Sequence, residues 1–258
     1  MGECPWQVIL LPGGVLPAES AYRALLTELG SEVDARPKEL EVYAADAPPP
    51  DYSLETEVAG IERVADEAGF KRFHLVGYSG GGASSLAFAA SRPERLLSLA
   101  LMEPAFAGWR GMTDAERSHF ERFRSLLDMD GPAMLAKFQA LQLAPGVEPA
   151  PSPPGTPPPW MAKRPAGLHA MLRTFLGTDL DLAALRRFDR PVWFALGGRS
   201  NPDYYALMAK RLAGVFPDFA VEIFPDRHHF DPPHRIEPAR VATSLRSLWA
   251  RAEHALAR

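Results

Sequence analysis

An α/β fold built on a mostly parallel sheet, with helices on both faces, is predicted by three features of this 258-residue chain. Short apolar runs alternate with stretches of helical periodicity, the pattern of strands buried under crossover helices. The alternation breaks off after the run "LLSLALMEPAF" and returns with "RPVWFALGG". Ahead of that break, at "FHLVGYSGGGASSLAFAA", an apolar run stops at a serine fenced by glycines and resumes as a helix of small residues. A packed core has no use for so abrupt a change, so Ser79 marks a hinge between strand and helix.

Each element follows in order. "WQVILLPGG" reads as the first strand, Ala18 to Leu29 as a helix, and "LEVYAADAP" as a second strand. Leu54, Val58, Ile61, Val64 and Ala68 fall on one helical stripe, with Ser53 placed to cap the exposed amides and Glu55, Glu57, Glu62 and Asp66 expected on a solvated face. Phe73, Leu75 and Val76 form a buried strand, and Gly81 to Ala90 a helix. Residues 107–186 keep helical periodicity without a good strand, and within them the proline-rich stretch 144–161 can carry neither a helix nor a ladder. The α/β pattern resumes with the strand "RPVWFALGG", a helix from Pro202 to Phe216, the strand in "FAVEIFPDRHHF" and a last helix from Pro238 to about His254. The chain thus divides into a core of 1–106 and 187–258 and a helical insertion of 107–186.

Composition narrows the function classes. The net charge of −4 gives no electrostatic footprint for nucleic acid or an anionic membrane, and points to a neutral small-molecule partner. Cys4 is the single cysteine, which excludes an internal disulfide and a cysteine-rich metal site and suits a reducing compartment. The opening "MGECPWQVILLPGG" lacks a signal peptide's basic and apolar regions, and no apolar run approaches the roughly 18 residues of a membrane span. A cytoplasmic location is the expectation.

The chemistry concentrates at Gly77-Tyr78-Ser79-Gly80-Gly81, a G-x-S-x-G motif between a strand and a helix. A sharp turn there brings backbone close to both elements, and side chains at its flanks would clash. A serine hydroxyl becomes a useful nucleophile when a base takes its proton and a third group orients that base.

With these residues the chain resembles the α/β-hydrolase superfamily over nearly all of its length outside the insertion. "VILLPGGVLPAES" looks like the strand and turn that bring an oxyanion-hole amide, with Gly14 and Val15 the candidates beside the Gly80 amide, although Pro12 stands where a histidine is common. "IFPDRHHFDPPHR" resembles the loop of the catalytic histidine, which the match assigns to His229 rather than His228, with His234 a loop neighbour. In "GGRS", Ser200 occupies the position where the family usually carries its acid, and a hydroxyl cannot balance an imidazolium. Glu103, at the end of an apolar strand before Pro104, is the preferred acid, with Asp203 in "SNPDYY" the alternative. The insertion resembles the family's helical cap, with Phe120, Phe123, Met134, Phe138 and Met161 among its apolar bulk. The expected pocket wall is Tyr78, Leu16, Phe106, Trp109, Trp160 and Phe230. The resemblance implies a serine hydrolase acting on an apolar ester or related acyl substrate, with no cofactor and no metal. A ligand-binding protein on the same fold without turnover is the alternative from another class.

Overall fold

The computed structural model describes residues 5–149 and 155–256; Cys4 and residues 150–154 of the proline-rich stretch lie outside them. The elements, in chain order, are β1 (Trp6–Leu11), α1 (Ala18–Leu29), β2 (Val33–Pro37), α2 (Leu54–Glu67), β3 (Phe73–Tyr78), α3 (Gly80–Ser91) and β4 (Leu96–Met102). Next come α4 (Asp114–Arg124), α5 (Gly131–Leu141), α6 (Arg164–Gly177) and α7 (Leu182–Leu185). The chain closes with β5 (Val192–Gly197), α8 (Leu207–Ala213), β6 (Phe219–Phe224), α9 (Pro233–Ile236) and α10 (Pro238–Leu256).

The strands form one six-stranded sheet in the order β2-β1-β3-β4-β5-β6, every pairing parallel. Because a strand points alternate side chains to opposite faces, each central strand feeds two cores. Val8, Leu10, Val76 and Ala100 pack against α1 and α10, while Ile9, Leu11, Leu75 and Leu99 join a larger cluster with α2 and α3. The chain runs outward from β1 to β2 and then returns to the other side of β1 for β3. This reversal opens a crevice at the carboxyl ends of β1 and β3, the position where open α/β sheets bind ligands.

Three local expectations are corrected. The second strand is Val33–Pro37, not "LEVYAADAP"; the latter makes a short 3₁₀ turn at Glu41–Tyr43. Its apolar residues Val42 and Tyr43 are buried by packing rather than by a ladder, and the true strand is a polar edge closed by Pro37. Glu57 is fully buried, not solvated: its carboxylate accepts from the Glu41 and Val42 amides at 3.0 and 3.3 Å and from the Tyr52 hydroxyl at 3.0 Å. Burial pushes this carboxyl up, against the opposing charge of Lys38. The helix expected from Pro202 opens instead with one π turn, Pro202–Ala206, which buries the adjacent Tyr204 and Tyr205 together.

Ser53 does cap α2, its Oγ accepting from the Thr56 amide at 3.2 Å. Between β4 and β5 lie α4, α5 and α6, whose inward residues Phe120, Phe123, Phe138 and Leu172 merge with the larger core cluster. The following α7 packs down on α3.

Candidate active site

Ser79 follows β3 at φ 52° and ψ −116°, a backbone conformation costing about 1–3 kcal/mol outside glycine. Its neighbours hold it there. The Ser79 amide donates to the Met102 carbonyl at 3.1 Å, and the Ser79 carbonyl accepts from the Ala83 and Ala105 amides at 3.1 and 2.8 Å. The flanking glycines are steric requirements: a Cβ on Gly77 would lie 2.6 Å from the Gly81 carbonyl oxygen, and one on Gly81 would lie 2.5 Å from that of Leu11.

A hydrogen-bonded chain starts at this serine. Ser79 Oγ lies 2.9 Å from His229 Nε2, and His229 Nδ1 lies 3.0 Å from Glu103 Oε2. An ionised carboxylate only accepts, so Nδ1 carries the proton and leaves Nε2 free to accept from the serine. The other oxygen of Glu103 accepts from the Gly197 amide at 2.8 Å, so the end of β5 contributes an amide to this carboxylate rather than an acid of its own. Ser200, beyond that strand end, is buried. Asp203 stands exposed at the π turn, its amide donating to the Asn201 side chain at 3.1 Å.

Two tyrosines hold the imidazole. The Tyr78 hydroxyl donates to the His229 carbonyl, and its ring lies 5.1 Å from the imidazole. The Tyr205 ring stacks on His229 at 4.8 Å and 13°. The Tyr205 hydroxyl donates to Gln142 Oε1 at 2.8 Å and stands 3.4 Å from His229 Nε2. Burial, then the charge of Glu103, raises both phenols, which stay neutral. His228 is turned away, accepting from the Phe230 and Asp231 amides, and burial lowers its pKa. His234 is fully buried between Tyr22 and Tyr78. Among the described residues, no group of three or more His, Cys, Asp or Glu could hold a metal ion.

Gly80 opens α3, where the first amides of a helix have no internal acceptor. The Gly14 amide lies 3.8 Å from the point a Cβ on Gly80 would occupy. The Tyr43 hydroxyl donates to the Gly14 carbonyl at 2.7 Å and fixes that turn. Val15, the other candidate in this turn, lines the outer of two cavities, as Gly14 also does.

The two cavities share Gly14, Ser79 and Phe138. The inner one, about 30 Å³, is lined by Gly80, Tyr205, and side chains of α4, α5 and α6, including Phe120, Phe123, Phe138, Met171, Leu172 and Phe175. The outer one, about 360 Å³, is bounded by Tyr78, Leu16, His229, Phe230 and Arg235. Of the expected wall, Tyr78, Leu16 and Phe230 line the outer cavity, whereas Phe106, Trp109 and Trp160 line neither. Phe106 stacks behind Phe175 at 5.3 Å, and the Trp109 indole donates to the Phe175 carbonyl at 3.0 Å, so both support the wall from behind. Trp160 is taken up by the Arg164 guanidinium, 5.4 Å over its ring. Tyr205, Gln142 and the α6 side chains went unnoticed in the sequence. Leu168, Met171, Leu172 and Phe175 do stand at i, i+3, i+4 and i+7, which signals an apolar helix face without telling what it covers.

A parallel sheet with a strained serine after its third strand, within hydrogen-bond reach of a histidine near its end, defines an α/β hydrolase architecture. The chain belongs to the alpha/beta hydrolase family, which its residues 8–243 match. It is 30% identical over 97 residues to a Caulobacter vibrioides protein named "Putative carbamate hydrolase RutD", a match covering 38% of this chain and 35% of that protein's length. In fold it is similar to a hydrolase from Pseudomonas aeruginosa, with TM-score 0.69, 19% identity, and coverage of 95% of this chain and 89% of the other. A thermophilic esterase from Thermogutta terrifontis superposes with TM-score 0.67 at 18% identity, over 96% of this chain and 90% of that one.

Proposed function

We propose that this hydrolase is a serine enzyme that cleaves a carboxylic ester or related acyl substrate through a covalent acyl-enzyme. The observation that carries the proposal is the chain from Ser79 through His229 to Glu103, with steps of 2.9 and 3.0 Å, beside the Gly14 and Gly80 amides. As Ser79 Oγ attacks the carbonyl carbon, its proton passes to His229 Nε2 and the carbonyl π electrons move onto oxygen. The amides of Gly14 and Gly80 receive that oxyanion, each such donor contributing about 3 kcal/mol to the transition state. Glu103 balances the imidazolium. Collapse expels the leaving group, which takes the proton from Nε2, and a water molecule then repeats the attack to release the acid and free Ser79. These steps use the chain's own side chains and water. Residues 107–186 act as a cap that encloses the acyl group.

The test is hydrolysis of p-nitrophenyl acetate by the wild type and by Ser79→Ala. The variant loses one oxygen at a preformed turn, so its melting temperature stays and its kcat falls at least about a thousandfold. A folded Ser79→Ala protein with residual activity above that level would place the nucleophile elsewhere.

A further inference from the structure

Taking Ser79 as the acylated nucleophile, we propose that the two cavities divide the substrate: a short, unbranched acyl group of about two to four carbons fills the inner one, and a bulky polar leaving group fills the outer one. The direction comes from the proton. A leaving oxygen must take its proton from His229 Nε2 and therefore departs on the histidine's side. His229 lines the outer cavity and not the inner one, whereas Gly80 and the side chains of α4 and α6 line only the inner one; Gly14 stands where the two meet. With the carbonyl oxygen between those amides, the acyl chain points inward.

The size comes from volume. The inner cavity measures about 30 Å³ and the outer about 360 Å³. At roughly 10–15 Å³ for each water-sized atom, the inner one takes two to three non-hydrogen atoms beyond the carbonyl carbon, and it falls far short of the roughly 150 Å³ that holds benzene. Its walls belong to the packed core: Phe123 has the rings of Phe120 and Phe138 at 6.1 and 6.0 Å, and Met171 Sδ lies 3.0 Å from a Cβ position on Gly80. Interiors at this density yield little to an extra methylene. The outer cavity, beside apolar walls such as Val15, Leu16, Phe230 and Ile236, presents Arg235, exposed and without a carboxylate partner among the described residues; Asp231, which also lines it, is already paired with Arg227 at 2.6 Å. This side suits a polar or anionic leaving group.

The experiment measures kcat/KM for p-nitrophenyl acetate, butyrate, hexanoate and octanoate and for p-nitrophenyl benzoate. Hexanoate falls at least tenfold below butyrate, and benzoate is not turned over. Phe123→Ala and, as a milder change, Leu172→Ala enlarge the inner cavity, and at least one raises the hexanoate-to-acetate ratio tenfold or more. Arg235→Gln lowers the ratio of 3-carboxy-4-nitrophenyl acetate to p-nitrophenyl acetate at least threefold. A wild-type enzyme that prefers octanoate or accepts benzoate overturns the inner assignment, as does a length preference that neither enlargement moves. An unchanged ratio in Arg235→Gln overturns the outer one. Labelling of Ser79 by a fluorophosphonate separates the two levels: labelled, active protein with the wrong length preference sinks this division alone, and protein that neither labels nor cleaves any ester sinks the serine mechanism beneath it.

Discussion

Ser79 and Glu103 have φ of 52° and 45°, the only positive values at non-glycine residues in the described chain. Each conformation costs about 1–3 kcal/mol and persists because its surroundings over-determine it. They stand beyond the ends of β3 and β4, which pair side by side, and both side chains reach His229. If Glu103 orients the imidazole, Glu103→Gln keeps the shape, loses the charge and favours the wrong tautomer. We expect kcat to fall by about 10⁴, while Asp203→Asn, at an exposed turn, stays near wild type. Steady-state kinetics of the two folded variants checks this; a large loss in Asp203→Asn with a near-normal Glu103→Gln would reverse the assignment. Ser79 was legible because its motif is local in sequence, and His229 because the residues beside it resemble a known loop. Glu103 was legible partly by elimination, since Ser200 cannot carry the charge, and partly from its place at the end of an apolar strand before Pro104. Tyr205 was not legible: its role depends on a π turn that aims two consecutive rings inward, and "SNPDYY" has an ordinary helical meaning.

At the scale of elements, the central strands and long helices could be read from periodicity, because burial on both faces leaves near-continuous apolar runs. The edge was lost for the complementary reason. Val33–Pro37 is half-buried and polar, and "LEVY" is apolar only because it lies under α6 and against α2. The attachment of α4 was also invisible, since it depends on a charge pair between distant segments. Glu116 is fully buried, closes the capping box with Thr113, and pairs with Arg211 of α8 at 3.1 Å. Arg211 in turn donates to the Ala107 carbonyl at 2.8 Å. Glu116→Ala would strand that guanidinium in the interior, a loss of about 3–5 kcal/mol. We expect scanning calorimetry to show the melting temperature about 10 °C lower. A shift under about 2 °C would mean that the pair contributes little to holding α4.

For the whole molecule, burial of imidazoles makes stability depend on pH. Desolvation holds His74 and His234 down to about 3 and His119 down to about 4, from an ordinary value of 6.5. Below about 6.5 the unfolded chain binds protons that the folded chain refuses, so stability is full above that pH and falls on acidification towards the folded values. Each histidine contributes a slope of about 1.4 kcal/mol per pH unit, so the three together give about 4 kcal/mol per pH unit between pH 6 and 4.5. His234 makes no side-chain hydrogen bond among the described residues and lies 5.0 and 4.9 Å from the Tyr22 and Tyr78 rings, so phenylalanine can replace it. Urea melts of His234→Phe at pH 7.5 and 5 should show one histidine's slope removed; an unchanged pH dependence would mean that His234 titrates freely. The larger arrangement follows from the strand order, which puts the Gly14 turn and Ser79 on either side of one crevice. Alternating strands and helices announced the sheet, but which helical face would roof that crevice depended on packing that no local pattern encodes. If this crevice activates Ser79, the intact mass of the protein after brief exposure to a stoichiometric fluorophosphonate, followed by peptide mapping, reports it. One adduct per chain, on Ser79, is the expected result, abolished by His229→Ala; an unmodified chain, or an adduct on any other residue, would contradict it.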